Sequence, residues 1–431
     1  MTRPHLKASF YTLGCRLNQA ETALIASRFQ QDGYRVVDFG EHADICVINS
    51  CTVTEQADAK CRQIVRQVLR QNPDTFVAVV GCYAQTGTET LQKIDGIDLI
   101  VGTQDKLNVL DYIAEPIKAE QPQVVRNRMM RAPFTIQSEG ALNTTTRANL
   151  KIQDGCDFMC SFCVIPFARG RARSRAYFDI QREAMQLLDA GHKELVLTGV
   201  NIGTYDFEGK SFLDVVQMLL KLPDLQRLRI SSIEPTTIPE SLLDLMADSE
   251  KLCPHLHIPL QSGSDRILQS MRRVYSKANF LQFIERAAEK VPDVLIGTDI
   301  MVGFPGEDDA AFSESCDLLE QSPLTYAHVF SFSERSGTAA TRLNEKVDPR
   351  AKKARSKRLH QISERNKNAF YQNFIGKSAR ILTEDRDKLG RWLGYTDNYI
   401  KVAIEHKDLK SNQLINVKIA DIENGLAIAN N

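Results

Sequence analysis

The chain has 431 residues, 43% hydrophobic and 25% charged, with 54 basic and 54 acidic side chains. That length and composition imply two to four domains with substantial apolar cores, and a formal net charge of zero excludes a uniformly basic nucleic-acid binder, so any basic patch must be local. No apolar run approaches the ~20 residues of a membrane helix and the N-terminal residues 1–7 lack the apolar stretch of a signal peptide, so no membrane partner and a cytoplasmic location are expected. The ten cysteines then read as thiols or metal ligands rather than disulfides.

Over residues 9–117 short apolar strands alternate with helical patterns: strand signals at 10–13, 45–48 and 76–80, helix signals at 18–29, 54–69 and 88–94. Such alternation predicts a parallel α/β sheet. Each strand runs into a small or polar residue followed by cysteine: Gly14-Cys15, Ser50-Cys51 and Gly81-Cys82. Ligands of open parallel sheets bind at the carboxyl ends of the strands, so three neighbouring strands would bring these cysteines to one rim. Coincidence is the rival explanation, because buried cysteines are common. Cys46, Cys61, Cys253 and Cys316 are expected to be small core hydrophobes. Residues 118–146 contain Pro122, Pro133 and a run of threonines that break any periodicity, and read as a basic connection.

From residue 148 the alternation resumes about six times. Strands are expected at 150–153, 194–198, 227–232, 255–260, 294–302 and 328–332, with helices at 180–190, 212–222, 239–247, 278–290 and 309–321. Six repeats fit a partial or full βα barrel with its chemistry over the strand C-termini. Just beyond the first of these strands lies the most specific motif of the chain, Cys156, Cys160 and Cys163 in a C-x3-C-x2-C loop. Three thiolates can hold three irons of a 4Fe–4S cluster and leave the fourth iron open, where fully ligated clusters take four cysteines. Structural zinc is the alternative, but it wants a second ligand pair and none is near in sequence.

After residue 337 comes a strongly basic, helix-compatible run over 350–367, including Lys352 and Lys353, which is either a solvated helix face or an RNA contact. Short strands at 378–382, 392–395, 399–402 and 414–419 then suggest a small barrel resembling an OB-fold. Trp392, Tyr395 and Tyr399 would either stack bases or fill its core.

With these residues laid out, the chain resembles the radical S-adenosylmethionine (SAM) methylthiotransferases over nearly its whole length. That family's auxiliary-cluster cysteines match Cys15, Cys51 and Cys82, and its SAM-cluster cysteines match Cys156, Cys160 and Cys163. Further matching blocks are 197–203 (LTGVNIG), 230–235 (ISSIEP), 257–264 (HIPLQSGS) and 299–307 (DIMVGFPGE). The stretches 12–19 (TLGCRLNQ), 165–175 (IPFARGRARSR) and 328–333 (HVFSFS) look like the bacterial MtaB type.

The resemblance implies an N-terminal methylthiotransferase domain (6–117), a linker (118–141), a radical-SAM core (142–368) and a C-terminal TRAM barrel (369–431). It implies two 4Fe–4S clusters and SAM as radical source and methyl donor, with Ser232, Glu234 and Gln261 as candidate SAM contacts. The implied reaction is methylthiolation of C2 of N6-threonylcarbamoyladenosine beside the anticodon of tRNA, which an acid–base side chain cannot readily perform on an unactivated C–H. A reductant such as flavodoxin or ferredoxin and a sulfur donor are implied partners. Arg169, Arg173 and Arg175, with Lys352 and Lys353, are candidate RNA contacts; a run of arginines bonding helix ends and acidic neighbours is the bland reading of the first three. The rival functions are methylthiolation of isopentenyladenosine in tRNA and a non-catalytic RNA-binding iron–sulfur protein.

Overall fold

The computed structural model describes residues 6–136 and 145–430. The boundary expected at 141 and the N-terminal residues 1–5 lie outside the described residues. The N-terminal unit is a six-stranded, all-parallel sheet in the order β2-β1-β3-β4-β5-β6. Its strands are β1 (Lys7–Thr12), β2 (Arg35–Val37), β3 (Ile45–Ser50), β4 (Phe76–Gly81), β5 (Leu99–Val101) and β6 (Gln123–Val125). Helices α1 (Arg16–Gln31) and α2 (Glu55–Gln71) cover it.

Every residue of β3 and β4 is buried, as in a parallel sheet covered on both faces. Alternation along them chooses the partner. Ile45, Val47, Ala78 and Val80 meet Ile25 and Phe29 of α1, while Cys46, Ile48, Val77 and Val79 meet Cys61, Ile64, Val65 and Val68 of α2. The latter four follow the helical i, i+3, i+4, i+7 stripe, so Cys46 and Cys61 are core residues. Thr54 starts α2 by accepting from the Ala57 amide at 3.2 Å. The sheet extends further than expected: β6 falls within the expected linker, and its pairing with β5 makes that stretch part of the first unit.

The central unit has six parallel strands: β7 (Arg147–Lys151), β8 (Glu194–Thr198), β9 (Arg227–Ile230), β10 (His255–His257), β11 (Leu295–Val302) and β12 (Tyr326–Ser331). β7-β8-β9 and β10-β11-β12 form two ladders, joined by bridges Leu228–Leu252 and Ser232–His257. No pairing closes β12 onto β7 among the described residues, so the barrel has a seam between those two strands. The connecting helices are close to expectation, at Tyr177–Asp189, Phe212–Leu220, Ser241–Asp248, Lys277–Lys290 and Asp309–Gln321. Cys316 is buried in the barrel's apolar core. The helix Pro349–Gln372 then runs beside β12. Ser363 accepts from the Ala327 amide at 2.9 Å, and the Asn366 amide donates to the carbonyls of Leu319 and Leu324.

The C-terminal unit is a closed five-stranded barrel of β13 (Ser378–Arg386), β14 (Trp392–Thr396), β15 (Lys401–Ile404), β16 (Leu414–Glu423) and β17 (Leu426–Asn430). It docks on the base of the central barrel. Glu194, fully buried, pairs with Arg227 at 2.5 Å and Arg229 at 2.7 Å. Both arginines also donate to carbonyls of the β14–β15 turn, at Tyr395, Thr396 and Asp397. Two guanidiniums with one carboxylate and several carbonyls satisfy a buried charge cluster that would otherwise be costly. Cys253 sits buried beside these arginines at the barrel base, away from the strand C-termini.

Candidate active site: two cysteine stations at the barrel mouth

The loop carrying Cys156, Cys160 and Cys163 is pinned by backbone contacts to the barrel. Gly155 takes φ +73°, and a Cβ there would lie 2.0 Å from the Arg171 carbonyl. The Cys156 amide donates to Gly170 O at 3.1 Å, and Ser161 bonds Met271 and Ser270 through its amide and hydroxyl. Cys163 Sγ accepts from the Ile165 amide at 3.4 Å. Arg273 donates to Cys160 Sγ at 3.2 Å and pairs with Glu234. Burial pushes the Cys156 thiol up to about 11 and Cys163 to about 12, the neighbouring cysteines adding to the shift.

The second station forms where the sequence pattern placed it. β1, β3 and β4 are adjacent, and their C-terminal ends carry Cys15, Cys51 and Cys82. Two side chains lace the three turns together. Asn18 Nδ2 donates to Leu13 O at 2.6 Å and Ser50 O at 3.1 Å; the Ser50 hydroxyl accepts from the amides of Tyr83 and Ala84 and donates to Val80 O. Gly14, at φ +93°, is required by close approach, since a Cβ would stand 2.7 Å from Cys51 Sγ. Burial pushes Cys51 up to about 11, with the nearby Cys82 and Cys15 raising it further.

All six cysteines are free of disulfides. Around one tetrahedral zinc, sulfurs at 2.3 Å would stand about 3.8 Å apart. Among the described residues the one group of three potential ligand atoms within 4.8 Å of one another is His257, Asp299 and His328, with no cysteine in it. Two sets of grouped but more widely held thiols suit a cluster of several irons better than a single zinc. Cys15 is exposed and Cys156, Cys160 and Cys163 are half-buried, leaving each station open on one side. Metal binding at Cys51, Cys156 and Cys163 would displace the protons that burial holds on their thiols.

A buried charge cluster holds the stations in register. Arg169, six residues beyond Cys163 by way of a short helix, is 1% exposed. It reaches α1 of the N-terminal unit, donating to Asn18 Oδ1 at 2.6 Å and both oxygens of Glu21, and back to Asp154 at 2.9 Å. Lys106 and Lys151 also pair with Glu21. Although burial alone would raise it, Arg169, Lys106 and Lys151 hold the Glu21 carboxyl well below the usual range. The expectation of an RNA-contacting arginine row is therefore corrected. Arg169 lies inside this cluster, Arg175 is fully buried against Asp179 and Glu183, and Arg173 is bound to Asp154 and Gln104. The carboxylates that claim Arg169 lie partly in another unit, which sequence neighbourhood does not reveal.

The two stations face one mouth. Val53 and Thr54, just past Cys51, share a cavity of about 340 Å³ with Cys163, Gln261 and Met301. Gln261, at φ +72°, is held in the barrel by backbone bonds to Asp299 and Met301, and its Oε1 is buried without a partner among the described residues. Glu234 reaches the cysteine loop through Arg273; burial raises its carboxyl, and Arg273 counters that. Ser232, exposed, stands at the end of β9. Cys15 opens onto the seam cavity of about 820 Å³, lined also by Arg147, Ser231, Ser232, His328 and Tyr399. Inside the lumen, His257 Nε2 and His328 Nδ1 lie 3.1 and 3.5 Å from Asp299 Oδ1, and His257 Nδ1 bonds the Tyr326 hydroxyl at 3.0 Å. Against the cost of burial, those two histidines hold the Asp299 carboxyl far below its ordinary range.

Tyr395 and Tyr399 turn toward this cavity rather than the outer surface of the small barrel. They stack on each other at 4.7 Å, and Tyr399 stacks on His255 at 4.4 Å. Trp392 packs at the edge of the small barrel's core beneath Arg386. On the Pro349–Gln372 helix Lys353 is exposed, while Lys352 lies over the Phe332 ring and Arg355 is bonded to Glu307 and Asp309. Sequence reasoning missed Asn18, Glu21 and Arg273. Asn18 lies in the quoted 12–19 block, three residues after Cys15; Glu21 and Arg273 carry no local signal.

Comparison with known proteins agrees with this architecture. Residues 7–102 match the family described as "Uncharacterized protein family UPF0004", and residues 150–319 match the Radical SAM superfamily. A threonylcarbamoyladenosine tRNA methylthiotransferase MtaB of Bacillus subtilis (strain 168) is 38% identical over 419 residues, 95% of this chain and 93% of that one. The protein of that name from Aquifex aeolicus (strain VF5) is 36% identical, over 93% of this chain and 97% of its own. A tRNA-2-methylthio-N(6)-dimethylallyladenosine synthase of Acetivibrio thermocellus is 30% identical over 96% of this chain and 88% of that one. Among solved structures, the radical SAM methyltransferase TsrM of Kitasatospora setae superposes with a TM-score of 0.54 at 13% identity, over 77% of this chain and 75% of that one, which speaks to fold alone. With two cysteine stations facing one barrel mouth and these relatives spanning nearly its full length, the chain belongs to the radical SAM methylthiotransferase family, in its MtaB branch.

Proposed function

We propose that this protein transfers a methylthio group to C2 of N6-threonylcarbamoyladenosine at position 37 of tRNA. The observation that carries the reading is the opening of both cysteine stations onto one barrel mouth, with a seam between β7 and β12 leading to it. Cys156, Cys160 and Cys163 would hold the SAM-binding 4Fe–4S cluster, and Cys15, Cys51 and Cys82 the auxiliary one. When bound, these clusters and SAM supply the electron, the radical and the sulfur that an unreactive C–H requires.

The chain's own residues position and exclude. The orphaned Gln261 oxygen and the Glu234–Arg273 pair support their roles around SAM, with Ser232 at the neighbouring strand end. The cluster built on Glu21 and Arg169 fixes Cys15 relative to Cys163, so that sulfur and radical meet the same carbon. An anticodon loop presents unstacked bases, and the target base would leave its stack to enter the seam. Lys353 and the exposed Arg350 and Lys357 would add phosphate contacts, with Lys352 closer to the mouth. Flavodoxin or ferredoxin as reductant, a sulfur donor, and a cytoplasmic location with its tRNA complete the proposal; no helix among the described residues is long and apolar enough to cross a membrane. The chain would divide as residues 6–117, 118–141, 142–368 and 369–431, with the strand at 123–125 joining the first unit.

The relatives named as dimethylallyladenosine synthases, at 30–33% identity, make isopentenyladenosine the second reading. The test is reconstitution of the protein with iron and sulfide, incubation with SAM, reductant and tRNA of each kind, and mass spectrometry of the nucleosides. Methylthiolated threonylcarbamoyladenosine is expected; product from the isopentenyl substrate alone would overturn the assignment, and iron binding with no SAM cleavage would leave a non-catalytic protein.

A further inference from the structure

The seam cavity and the barrel lumen share Arg16, Ser231, Ser232, His328, Tyr395 and Tyr399. Anything passing from the seam, where Cys15 opens, into the lumen of about 420 Å³ must cross this ring. The lumen is lined by four cations, Arg16, Arg229, Lys367 and Lys401, against two carboxylates, Asp299 and Glu364. Most of these charges are engaged. Arg229 is bonded to Glu194 and to the β14–β15 turn, Asp299 is shared by two histidines, and Lys367 lies over the Tyr371 ring.

Arg16 differs. It is half-buried, and its guanidinium donates to a neutral group, the Tyr399 hydroxyl at 2.7 Å. No carboxylate forms an ion pair with it among the described residues. Its charge is felt deep in the lumen, at His255, Tyr326, Tyr395 and Tyr399. Tyr399 is locked for this contact: it takes φ +71°, and stacks between His255 and Tyr395. A half-buried guanidinium with no counter-anion is an incomplete pair, and its planar fork matches a carboxylate. Arg16 also adjoins Cys15 in sequence, so whatever it grips is held beside the auxiliary station.

We propose that Arg16, backed by Tyr399, reads the carboxylate of the N6 substituent and makes the barrel select an acidic modified adenosine over a neutral, apolar one. The inference rests on the function proposed above. A threonylcarbamoyl group brings one carboxylate to this lumen, whereas an isopentenyl group brings none and would leave the guanidinium unpaired. His328, whose side chain is 66% exposed at the same junction, is a second donor for the substituent's oxygens.

The test uses anticodon stem–loop RNAs carrying threonylcarbamoyladenosine, its methyl ester, or isopentenyladenosine. Each is measured for binding to the holoenzyme by fluorescence anisotropy without reductant, and for product in single turnovers. Wild type is expected to prefer the acid to the ester by about 10- to 100-fold, the range for one hydrogen-bonded contact to a charged group. Arg16→Gln should bring that ratio close to one, chiefly through affinity, Arg16→Lys should restore part of it, and Tyr399→Phe should lower it a few-fold. Equal use of acid and ester by the wild-type enzyme would overturn the inference while leaving the proposed reaction standing, and this comparison needs no variant. An Arg16→Gln protein that keeps the wild-type ratio would overturn it too. Product from the isopentenyl RNA alone would instead defeat the proposed reaction itself.

Discussion

The two cysteine stations reach similar chemistry by opposite routes. Cys156, Cys160 and Cys163 lie on one loop, held by local contacts such as Gly155 against Arg171. Cys15, Cys51 and Cys82 come from three strand ends, and their approach depends on the register of β1, β3 and β4 and on Asn18 and Ser50 crossing between turns. The loop station is a local structure; the strand-end station is a property of a folded sheet. Damage to the first should stay local, whereas the second should respond to any loosening of its sheet or of the interface behind it.

The sharpest separation comes from removing one ligand from each. Cys156→Ala is expected to abolish SAM cleavage and remove about half of the reconstituted iron, while Cys15→Ala should lose about half of the iron and the methylthiolated product yet retain SAM cleavage. Iron content and 5′-deoxyadenosine release check both, and equal loss of cleavage in the two would erase the distinction.

Next in size is Glu21→Gln. It leaves Arg169, Lys106 and Lys151 without the carboxylate they share, and breaking a buried pair of this kind costs about 3–5 kcal/mol. Denaturant unfolding should report that loss, and product formation should fall more than SAM cleavage because Arg169 and Asn18 connect directly to the strand-end station.

Arg273→Ala removes the group that touches Cys160 and holds Glu234, and should therefore act on the loop station. Outer partners of metal ligands are worth about 10- to 100-fold in affinity or activity, so SAM cleavage is expected to fall by that factor with auxiliary-site iron unchanged.

A smaller effect concerns acid. Burial raises the Glu194 carboxyl, but Arg229 and Arg227 outweigh it and bring it from 4.5 to about 2. Folding then releases a proton in acid, so this contribution to stability is whole above about pH 4.5 and disappears as pH falls toward 2. Glu194→Gln should flatten the pH dependence of thermal unfolding in that window. Smallest of all, Lys353→Ala should weaken tRNA binding a few-fold and lower the slope of log affinity against log salt by about one.

Much of this architecture is legible in the residues. Parallel strands buried on both faces appear as apolar runs, and the strands of the barrel and its helices follow from periods of two and 3.6. The observed helix Asp309–Gln321 and strand Glu194–Thr198 match their expected spans. In sequence β6 reads as connection because Gln123–Val125 is short and flanked by Pro122; only the free edge of β5 makes it a strand. Of the two readings the C-terminal aromatics leave open, core packing holds for Trp392, while Tyr395 and Tyr399 also face the barrel lumen across a domain interface.

Which atoms could bind iron is legible from residue order alone, because ligand type and spacing are chemical facts of the chain, and so is the order of strands and helices, because burial follows periodicity. Tertiary structure alone decided which charges are free to act. Arg169 and Arg175 look like a basic surface when written in a row, yet carboxylates from α1 and from the following helix neutralise them inside the protein. Arg16, a single letter within the 12–19 block in the row, is a cation facing the lumen with a phenol as its partner. Charge is written in sequence, but its availability depends on what the fold brings within about 4 Å, where a low-dielectric interior makes pairing strong and its absence costly.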